Sequence, residues 1–600
     1  MKILSLYSSF PSSVSLLVDN KVVAAVQEER FTRKKNDETF PKNSIDYCLK
    51  QANISPNELD AVALASFVSP FDDHIVRKSQ WTIEDYLRDQ HERWKPYLVD
   101  KTDKKPKSLL EIFSDKIDLN MYPNKYWKKN YKKKNRNKKY LTDRIEIIAN
   151  YLGINKNKIH RIDHHRCHAA YSYYAPNFRK EKVLALTVDG MGDGLNATAG
   201  IFDEKGSYKK FYQTDDCGIA RIYRYMTLLL GMKPNEHEYK LMGLAPYAKE
   251  KYSKKALEVF KKTLYVDGTK FKWKTRPTDS YFWFKKNLEG IRFDNIACGL
   301  QTWVEELLVK WVKNCIKETK IKKVVLSGGV ALNVKAMGKV TEISELKDLF
   351  IGGSASDDTL SIGAGFCLAE DLTNKMKKKW DPINFFPLPN LYIGPNASYN
   401  SEKISLKKLN LKKYKIIKNF TSHTIADFLS KGKILARCAG RMEFGQRALG
   451  NRSILADPSN QLIKQKINSA IKNRDFWMPF APVILDKFSK KYILNKKKII
   501  SKFMTIGFNV TKEGYDKLIA AIHPADQTAR PQILFQKDNP ELYEIILNFS
   551  KKTGIGALLN TSFNLHGHPI VNTPKDAIFV LQNSDLDGLL LNNFFIKKIK

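Results

Sequence analysis

"KVLALTVDGMGDG", residues 182–194, decides the fold. Its first half is an apolar run of the kind buried in a sheet, and its second half is a glycine and aspartate turn. The design returns at "KKVVLSGGVALN" (322–333), an apolar strand, a small-residue loop and then a helix. It returns again at "LFIGGSASDDTLSIGAG" (349–365). Strands that end in Gly-rich loops place backbone N–H groups and carboxylates along one edge of a sheet. Such an edge suits a nucleotide phosphate or a metal ion. An α/β class follows.

The bulk numbers bound the rest. The chain has 600 residues, 43% hydrophobic and 28% charged, which is more than one core and predicts at least two domains. Lys and Arg exceed Asp and Glu by 102 − 63 = 39 charges. A balance that basic fits nucleic acid, an anionic surface or phosphate-bearing substrates, or simply Lys-rich solvated faces. The seven Cys are scattered with no C-x-x-C, which argues against a disulfide framework and fits a reducing, cytoplasmic compartment. "MKILSLYSSFPSSVSLLV" at the N-terminus faintly resembles a signal peptide, but serines interrupt it and "VDNKVVAAV" follows, so it reads as strand, turn, strand. No run approaches the ~20 apolar residues of a membrane helix.

Working outward, residues 1–30 predict a β-hairpin and residues 75–145 an insertion. Within the insertion, "NKYWKKNYKKKNRNKKY" (124–140) interleaves aromatics with Lys. An exposed helical insertion with docked aromatics is favoured over a nucleic-acid arm. A helix is expected from 141, "LTDRIEIIANYLG". Residues 376–395, rich in Pro and Lys, predict a linker between a first domain (1–375) and a second αβ unit (396–600).

Two constellations carry chemistry. In "DHHRCHAAYSYY" (163–174), Asp163 is a candidate N-cap, and His164 and His168 stand at i, i+4 on one helical face. Two imidazoles on adjacent turns can grip a divalent ion, with Asp189 at the end of the neighbouring strand as a third ligand. His165 and Cys167 point elsewhere, and a Cys167–His168 nucleophile pair is disfavoured because sequence neighbours do not face each other on a helix. The second constellation is "GRMEFGQRALGNRS" (440–453) with Arg441, Arg447 and Arg452, followed by Lys472, Arg474 and Arg530. Six cations among small-residue loops make a cradle for phosphate, to which "NTSFN" (560–564) adds Ser562 and Asn564.

The motifs "EERFTRKKND" (28–37), "HHRCHAAYSYY", "VDGMGDG", "EHEYKLMGLAPY" (236–247), "SGGVALN", "GRMEFGQRALGNRSILADP", "NRDFWMPFAPVIL", "TARPQ" and "LLNTSFNLHGHPIVNTPKDA" together resemble the NodU/CmcH-type O-carbamoyltransferases. The resemblance implies an actin/sugar-kinase-like (ASKHA, threonylcarbamoyl-transferase-like) N-terminal domain and a YrdC-like C-terminal domain. It implies a metal site, usually iron, at His164, His168, Asp189 and Asp357, with Asp358 a rival for the last place. It implies that carbamoyl phosphate and ATP, with Mg, form carbamoyladenylate in the C-terminal domain. Arg447, Lys472, Arg530 and Ser562 are the residues expected to contact these anions, supported by Arg441, Arg452, Arg474 and Asn564. The adenylate is then expected at Gly328, Gly329 and Asn333, with Lys240 also assigned to binding. The partner would be a saccharide or small-molecule hydroxyl acceptor rather than a nucleic acid or membrane, with a homodimer as the one oligomer considered. The chain departs from the family pattern at Phe10 and Pro11, where the family has His and Asp, at Met478, where it has Arg, and at Gln446 in place of Pro. The first departure leaves two readings at the acceptor hydroxyl, His165 as the catalytic candidate or activation by the metal alone. The alternatives are a tRNA threonylcarbamoyl-type modifier, a nucleotide-binding scaffold without activity and, less well supported, a sugar kinase.

Overall fold

The computed structural model describes residues 1–376, 381–397, 399–407, 409–472 and 474–599, with side chains of 399 and 400 excepted. Part of the expected linker (377–380) and Asn473 of the "NRDFWMPFAPVIL" motif lie outside the described residues. The chain divides into two compact units. The first comprises Met1–Glu29, Asn36–Ile351 and Ala355–Pro387. The second comprises Arg30–Lys35, Gly352–Ser354 and Leu388–Lys600.

Unit 1 contains two five-stranded sheets. The first is built from β1 (Lys2–Tyr7), β2 (Ser13–Val18), β3 (Lys21–Gln27), β4 (Ala61–Ala65) and β5 (Ile159–Ile162), in the order β3-β2-β1-β4-β5. Residues 2–27 thus form three strands of an antiparallel meander, one more than the predicted hairpin. Asp19 and Asn20 turn β2 into β3 with φ of 45° and 64°, the left-handed pair that a tight hairpin turn needs. β4 and β5 join in parallel to β1.

The second sheet holds β6 (Val183–Gly192), β7 (Leu195–Phe202), β8 (Tyr208–Thr214), β9 (Lys323–Ser327) and β10 (Asp348–Ile351). Its order, β8-β7-β6-β9-β10, repeats that of the first sheet, with an antiparallel meander followed by two parallel strands. This duplicated sheet is the actin/sugar-kinase-like architecture. β6 carries the buried run Val183–Val188, as expected for a strand covered on both faces. Among the described residues no helix is long and apolar enough to cross a membrane.

Three helices matter for the site. α1 (Arg136–Leu152) begins five residues before the predicted start, drawing in part of the basic run. α2 (His164–Tyr174) is capped by Asp163, whose carboxylate accepts from the Arg166 N–H at 2.7 Å. α3 (Leu360–Lys375) packs on α2 so closely that a Cβ on Gly363 would lie 2.0 Å from the Cys167 carbonyl oxygen. Arg166 clamps the same pair of helices from outside, donating to Glu370 at 2.9 Å and to both oxygens of Asp371.

The insertion is helical, and its aromatics are docked. Trp127 is 2% exposed, and its ring packs at a tilt against those of Phe71 and Tyr140, with centroids 4.9 and 5.0 Å away. Rings buried in this way are not a platform for bases.

Unit 2 is an α/β unit around one eight-stranded mixed sheet. Its strands are β11 (Tyr414–Ile417), β12 (Leu435–Cys438), β13 (Arg452–Ala456), β14 (Ala481–Leu485), β15 (Gln532–Leu534), β16 (Ala557–Ser562), β17 (Gly588–Leu591) and β18 (Phe594–Lys598). They run in the order β11-β18-β17-β12-β13-β16-β14-β15. No disulfide joins any of the seven cysteines.

Candidate metal centre and anion site

The carboxyl ends of β6 and β9, the start of α2 and the turn before α3 bring four side chains together. The Nε2 atom of His164 lies 3.3 Å from Asp189 Oδ2 and 3.7 Å from Asp357 Oδ1. The Nε2 atom of His168 lies 3.5 Å from Asp357 Oδ1. One donor atom from each of the four residues falls within 4.8 Å of every other. Ligands at ~2.0–2.2 Å from a common ion span at most about 4.4 Å. A small contraction therefore closes the set around one cation.

The surrounding groups orient these donors. Ser327 Oγ donates to the Ala355 carbonyl at 3.4 Å, so its lone pair is free to accept from His168 Nδ1, 3.2 Å away. That leaves the lone pair on His168 Nε2, which is buried and has no hydrogen-bond partner. An orphaned buried nitrogen aimed among two carboxylates fits a metal ion, and the N₂O₂ donor set suits iron, manganese or zinc. Asp189 Oδ1 accepts from the Gly329 N–H at 2.7 Å, and Asp357 Oδ2 accepts from the Tyr7 hydroxyl at 2.8 Å. Gly328 makes the first of these contacts possible. Its φ is +96°, and a Cβ there would lie 2.2 Å from the Val188 carbonyl oxygen.

Electrostatics follow the geometry. Burial opposes protonation of His164, but the Asp357 and Asp189 carboxylates outweigh it and lift the imidazole to about 9. Burial works against the Asp189 carboxylate too, yet the hydrogen bond from His164 and the neighbouring imidazoles hold it far below the ordinary range. The site is thus poised for positive charge, which protons supply when a cation does not.

Asp358 takes no part. Its Oδ2 accepts from Gln27 Nε2 at 2.8 Å, away from the cluster. His165, assigned to the acceptor hydroxyl, is 0% exposed and turned to the sheet, with Nδ1 2.7 Å from Thr187 Oγ1. Burial and the neighbouring His164 and His168 push it down to about 3, so it stays neutral. Phe10 and Pro11 occupy the turn between β1 and β2. Asn333 caps the helix Val334–Thr341 and exchanges hydrogen bonds with Gln301, which commits its amide. Lys240 is half-buried on the helix Glu238–Leu244. Sequence reasoning passed over Asp193. Its Oδ2 accepts from the His164 N–H at 2.9 Å and its Oδ1 from Ser66 Oγ at 2.7 Å, fixing the start of α2. The signal was available, since Asp193 is the second aspartate of "VDGMGDG".

In unit 2 the cradle divides. Lys472 is 2% exposed, and its ammonium donates to Ser562 Oγ at 3.1 Å and Asn564 Oδ1 at 2.8 Å. Burial, with Arg474 and Lys35 nearby, pushes its pKa well below the ordinary lysine range. Arg474 donates to Thr561 Oγ1 at 3.2 Å and lies over the Phe480 ring. Arg447 is half-buried in the turn after β12, Arg530 is half-buried just before β15, and Met478 is buried.

Arg452 and Arg441 differ from expectation. The Arg452 guanidinium, 0% exposed, is spent on the carbonyls of Pro395, Ala439, Gly440, Asn451 and Asn572. Arg441 donates to the carbonyls of Ile393 and Gly394. Both staple the backbone, so the cradle rests on fewer cations than the motif suggested. Lys35 was missed. It belongs to the segment Arg30–Lys35, which packs in unit 2 through Arg30 on the Gly445 carbonyl at 2.7 Å and Arg33 on the Ile570 carbonyl at 2.7 Å.

Comparison with known proteins agrees with these two regions. Residues 2–366 match the family described as carbamoyltransferase N-terminus, and residues 426–598 match carbamoyltransferase C-terminus. Uncharacterized protein MJ1051 of Methanocaldococcus jannaschii is 32% identical, over 100% of both chains. Nodulation protein NolNO of Sinorhizobium fredii is 28% identical, covering 97% of this chain and 78% of the relative. Among solved structures, the activator of 2-hydroxyisocaproyl-CoA dehydratase from Clostridium difficile aligns at a TM-score of 0.32 with 12% identity, over 63% of this chain and 97% of that one.

Proposed function

The chain belongs to the carbamoyltransferase family, and from that premise we propose that it is an ATP-dependent O-carbamoyltransferase working in two steps at two sites. In unit 2, carbamoyl phosphate loses phosphate to water and leaves bound carbamate. A carbamate oxygen attacks the α-phosphorus of ATP-Mg, the bond to the β-phosphate oxygen breaks, and carbamoyladenylate and pyrophosphate result. In unit 1, an acceptor hydroxyl attacks the carbamoyl carbon, its proton leaves, and the phosphate oxygen departs with AMP. The product is an O-carbamoyl ester of a sugar or natural-product alcohol.

The observation that carries the reading is Lys472, a buried ammonium with neutral acceptors around it and further cations nearby. A buried cation of this kind is costly until an anion arrives. Lys472 would hold the transferring phosphate, with Arg447, Arg474 and Arg530 neutralising charge that develops on it. Ser562 and Asn564 fix the ammonium in place.

In unit 1, His164, His168, Asp189 and Asp357 would hold a divalent ion, iron being the family expectation. Such an ion polarises a carbonyl or lowers the pKa of a bound hydroxyl. Tyr7 and Ser327 orient two of these ligands. The backbone N–H of Gly329 holds a third.

ATP–pyrophosphate exchange tests the reading. Exchange should require carbamoyl phosphate and no acceptor, should vanish in Lys472→Met and should persist in His168→Ala. The His168→Ala chain should also carry less than half the metal of the parent while failing in transfer. Absence of exchange in the parent chain would falsify the adenylate step.

A further inference from the structure

Arg144 projects from α1 into the interior of unit 1 and is 2% exposed. Its Nη1 donates to the Ser66 carbonyl at 3.1 Å and its Nη2 to Ser8 Oγ at 3.3 Å. Its Nε is buried with no hydrogen-bond acceptor. Among the described residues no carboxylate forms an ion pair with it. Burial works against its charge, and Arg161 adds to that, while Tyr140, Tyr7 and Asp193 offset it from a distance. Asp193 is otherwise committed, to Ser66, Val68 and the first N–H of α2. His74, beside it, is held neutral by burial, which pushes its imidazole down to about 4.

A guanidinium has five N–H donors and cannot shed its charge. Burying it against two neutral acceptors is unfavourable, because buried ions are normally paired. The place where this one is tolerated matters. Ser8 follows Tyr7, whose hydroxyl holds Asp357. Ser66 donates to Asp193, which anchors His164. Ser66 itself has a φ of 71°, a left-handed conformation strained for a residue with a side chain. The strain points the Ser66 carbonyl at Arg144 while its hydroxyl serves Asp193. Arg144 therefore reaches the same end of the sheets as the four-donor cluster, with donor capacity unspent.

We propose that Arg144 is the oxyanion-binding residue of unit 1, taking a phosphate or carboxylate oxygen of a bound substrate. Placing that substrate at the transfer step rests on the function proposed above; the anion binding itself does not. The two sources are the phosphate of a nucleotide donor and an acidic group on the acceptor. The fork geometry of Arg serves either.

Calorimetry on the full chain separates the possibilities, with AMP against adenosine and D-glucuronate against D-glucose as probes. The parent, Arg144→Gln and Arg144→Lys are compared, each also with Lys472→Met so that the cation of unit 2 does not mask the result. Arg144→Gln should weaken one anionic probe by about tenfold or more and leave adenosine and glucose unchanged. Arg144→Lys should fall between. Loss confined to AMP assigns the donor, and loss confined to glucuronate assigns the acceptor. The ligand-free Arg144→Gln chain should melt no lower than the parent, whereas a merely structural arginine would lower it. Unchanged affinity for both anions in a folded Arg144→Gln overturns the proposal. If that variant does not fold, unchanged AMP and glucuronate affinities in Arg144→Lys overturn it. Carbamoyl-phosphate-dependent exchange should survive in Arg144→Gln. Its absence in the parent would count against the two-step reading and leave the binding result standing.

Discussion

Gly328→Ala offers the sharpest test of how the backbone builds the metal centre. Two penalties combine there. An L residue at φ +96° and ψ 157° lies where essentially only glycine is found, which costs roughly 1–3 kcal/mol. The new Cβ would lie 2.2 Å from the Val188 carbonyl oxygen, closer than such atoms approach, so the loop must move. Forced overpacking of this kind costs roughly 1–3 kcal/mol. Together they predict a loss of about 2–6 kcal/mol. Gly194→Ala is the control, because its φ is +83° but nothing lies within 4 Å of its Cβ. It should cost only the conformational part, about 1–2 kcal/mol. The difference isolates the contact with Val188. Displacement of the loop also pulls the Gly329 N–H from Asp189, now 2.7 Å away. Gly328→Ala should therefore lose manganese affinity as well as stability, whereas Gly194→Ala should keep its affinity. Scanning calorimetry and manganese titration measure both effects. If Gly328→Ala melts with Gly194→Ala and binds manganese like the parent, the close-approach argument is wrong.

Four further outcomes follow from the same geometry. Asp357→Asn should lose metal while Asp358→Asn retains it, read by metal analysis of the purified chains, because only Asp357 faces the histidines. His74 has a folded-state value of about 4 against an ordinary value of about 6.5, so the unfolded chain binds the extra proton between those pH values. Its contribution, roughly 3 kcal/mol at most, is full above pH 6.5 and is lost as pH falls toward 4; His74→Gln should flatten that part of the stability–pH curve. Arg452→Met should destabilise unit 2 by about 2–4 kcal/mol, since it leaves the Ala439 and Asn572 carbonyls without their donor while those of Pro395, Gly440 and Asn451 keep a backbone N–H. Lys472→Met should do the reverse, leaving the ligand-free melting temperature of unit 2 equal or higher while abolishing exchange; a large drop would mark Lys472 as structural.

The parts of this chain that were legible in its sequence are the parts fixed by local spacing. The i, i+4 pair His164 and His168 needed only the helical repeat. Asp189 needed only a strand that ends in a Gly-Asp turn. The duplicated sheet was not legible. Its two copies share strand order but not loop length, because the helical insertion separates β4 from β5 while helices of a different kind separate β8 from β9. Strand order is a long-range property, and a search for repeats of fixed period does not see it. Arginine roles were hidden for a related reason. Arg452 sits between Gly450 and the aliphatic Ile454 and Leu455, and Lys472 follows Ala470 and Ile471, which correctly signals burial. Burial does not say whether the acceptors are backbone carbonyls alone, as for Arg452, or a hydroxyl and an amide oxygen beside two carbonyls, as for Lys472.

That distinction separates scaffold from site throughout the molecule. Arg452, buried, and Asp193, half-buried, are answered by hydrogen-bond partners, and both hold backbone in place. Among the described residues Lys472 and Arg144 are buried without a carboxylate paired to them, and His168 Nε2 is buried without a hydrogen bond. A protein selected for stability alone would pair or remove such groups, since each lowers the stability of the ligand-free chain. Their persistence in two separate units fits a reaction divided between an anion-binding step and a cation-assisted one. It also gives the stabilities a direction. Substitutions at the answered residues should lower ligand-free stability and leave chemistry to follow the fold, whereas substitutions at the unanswered ones should spare the fold and remove the ligand.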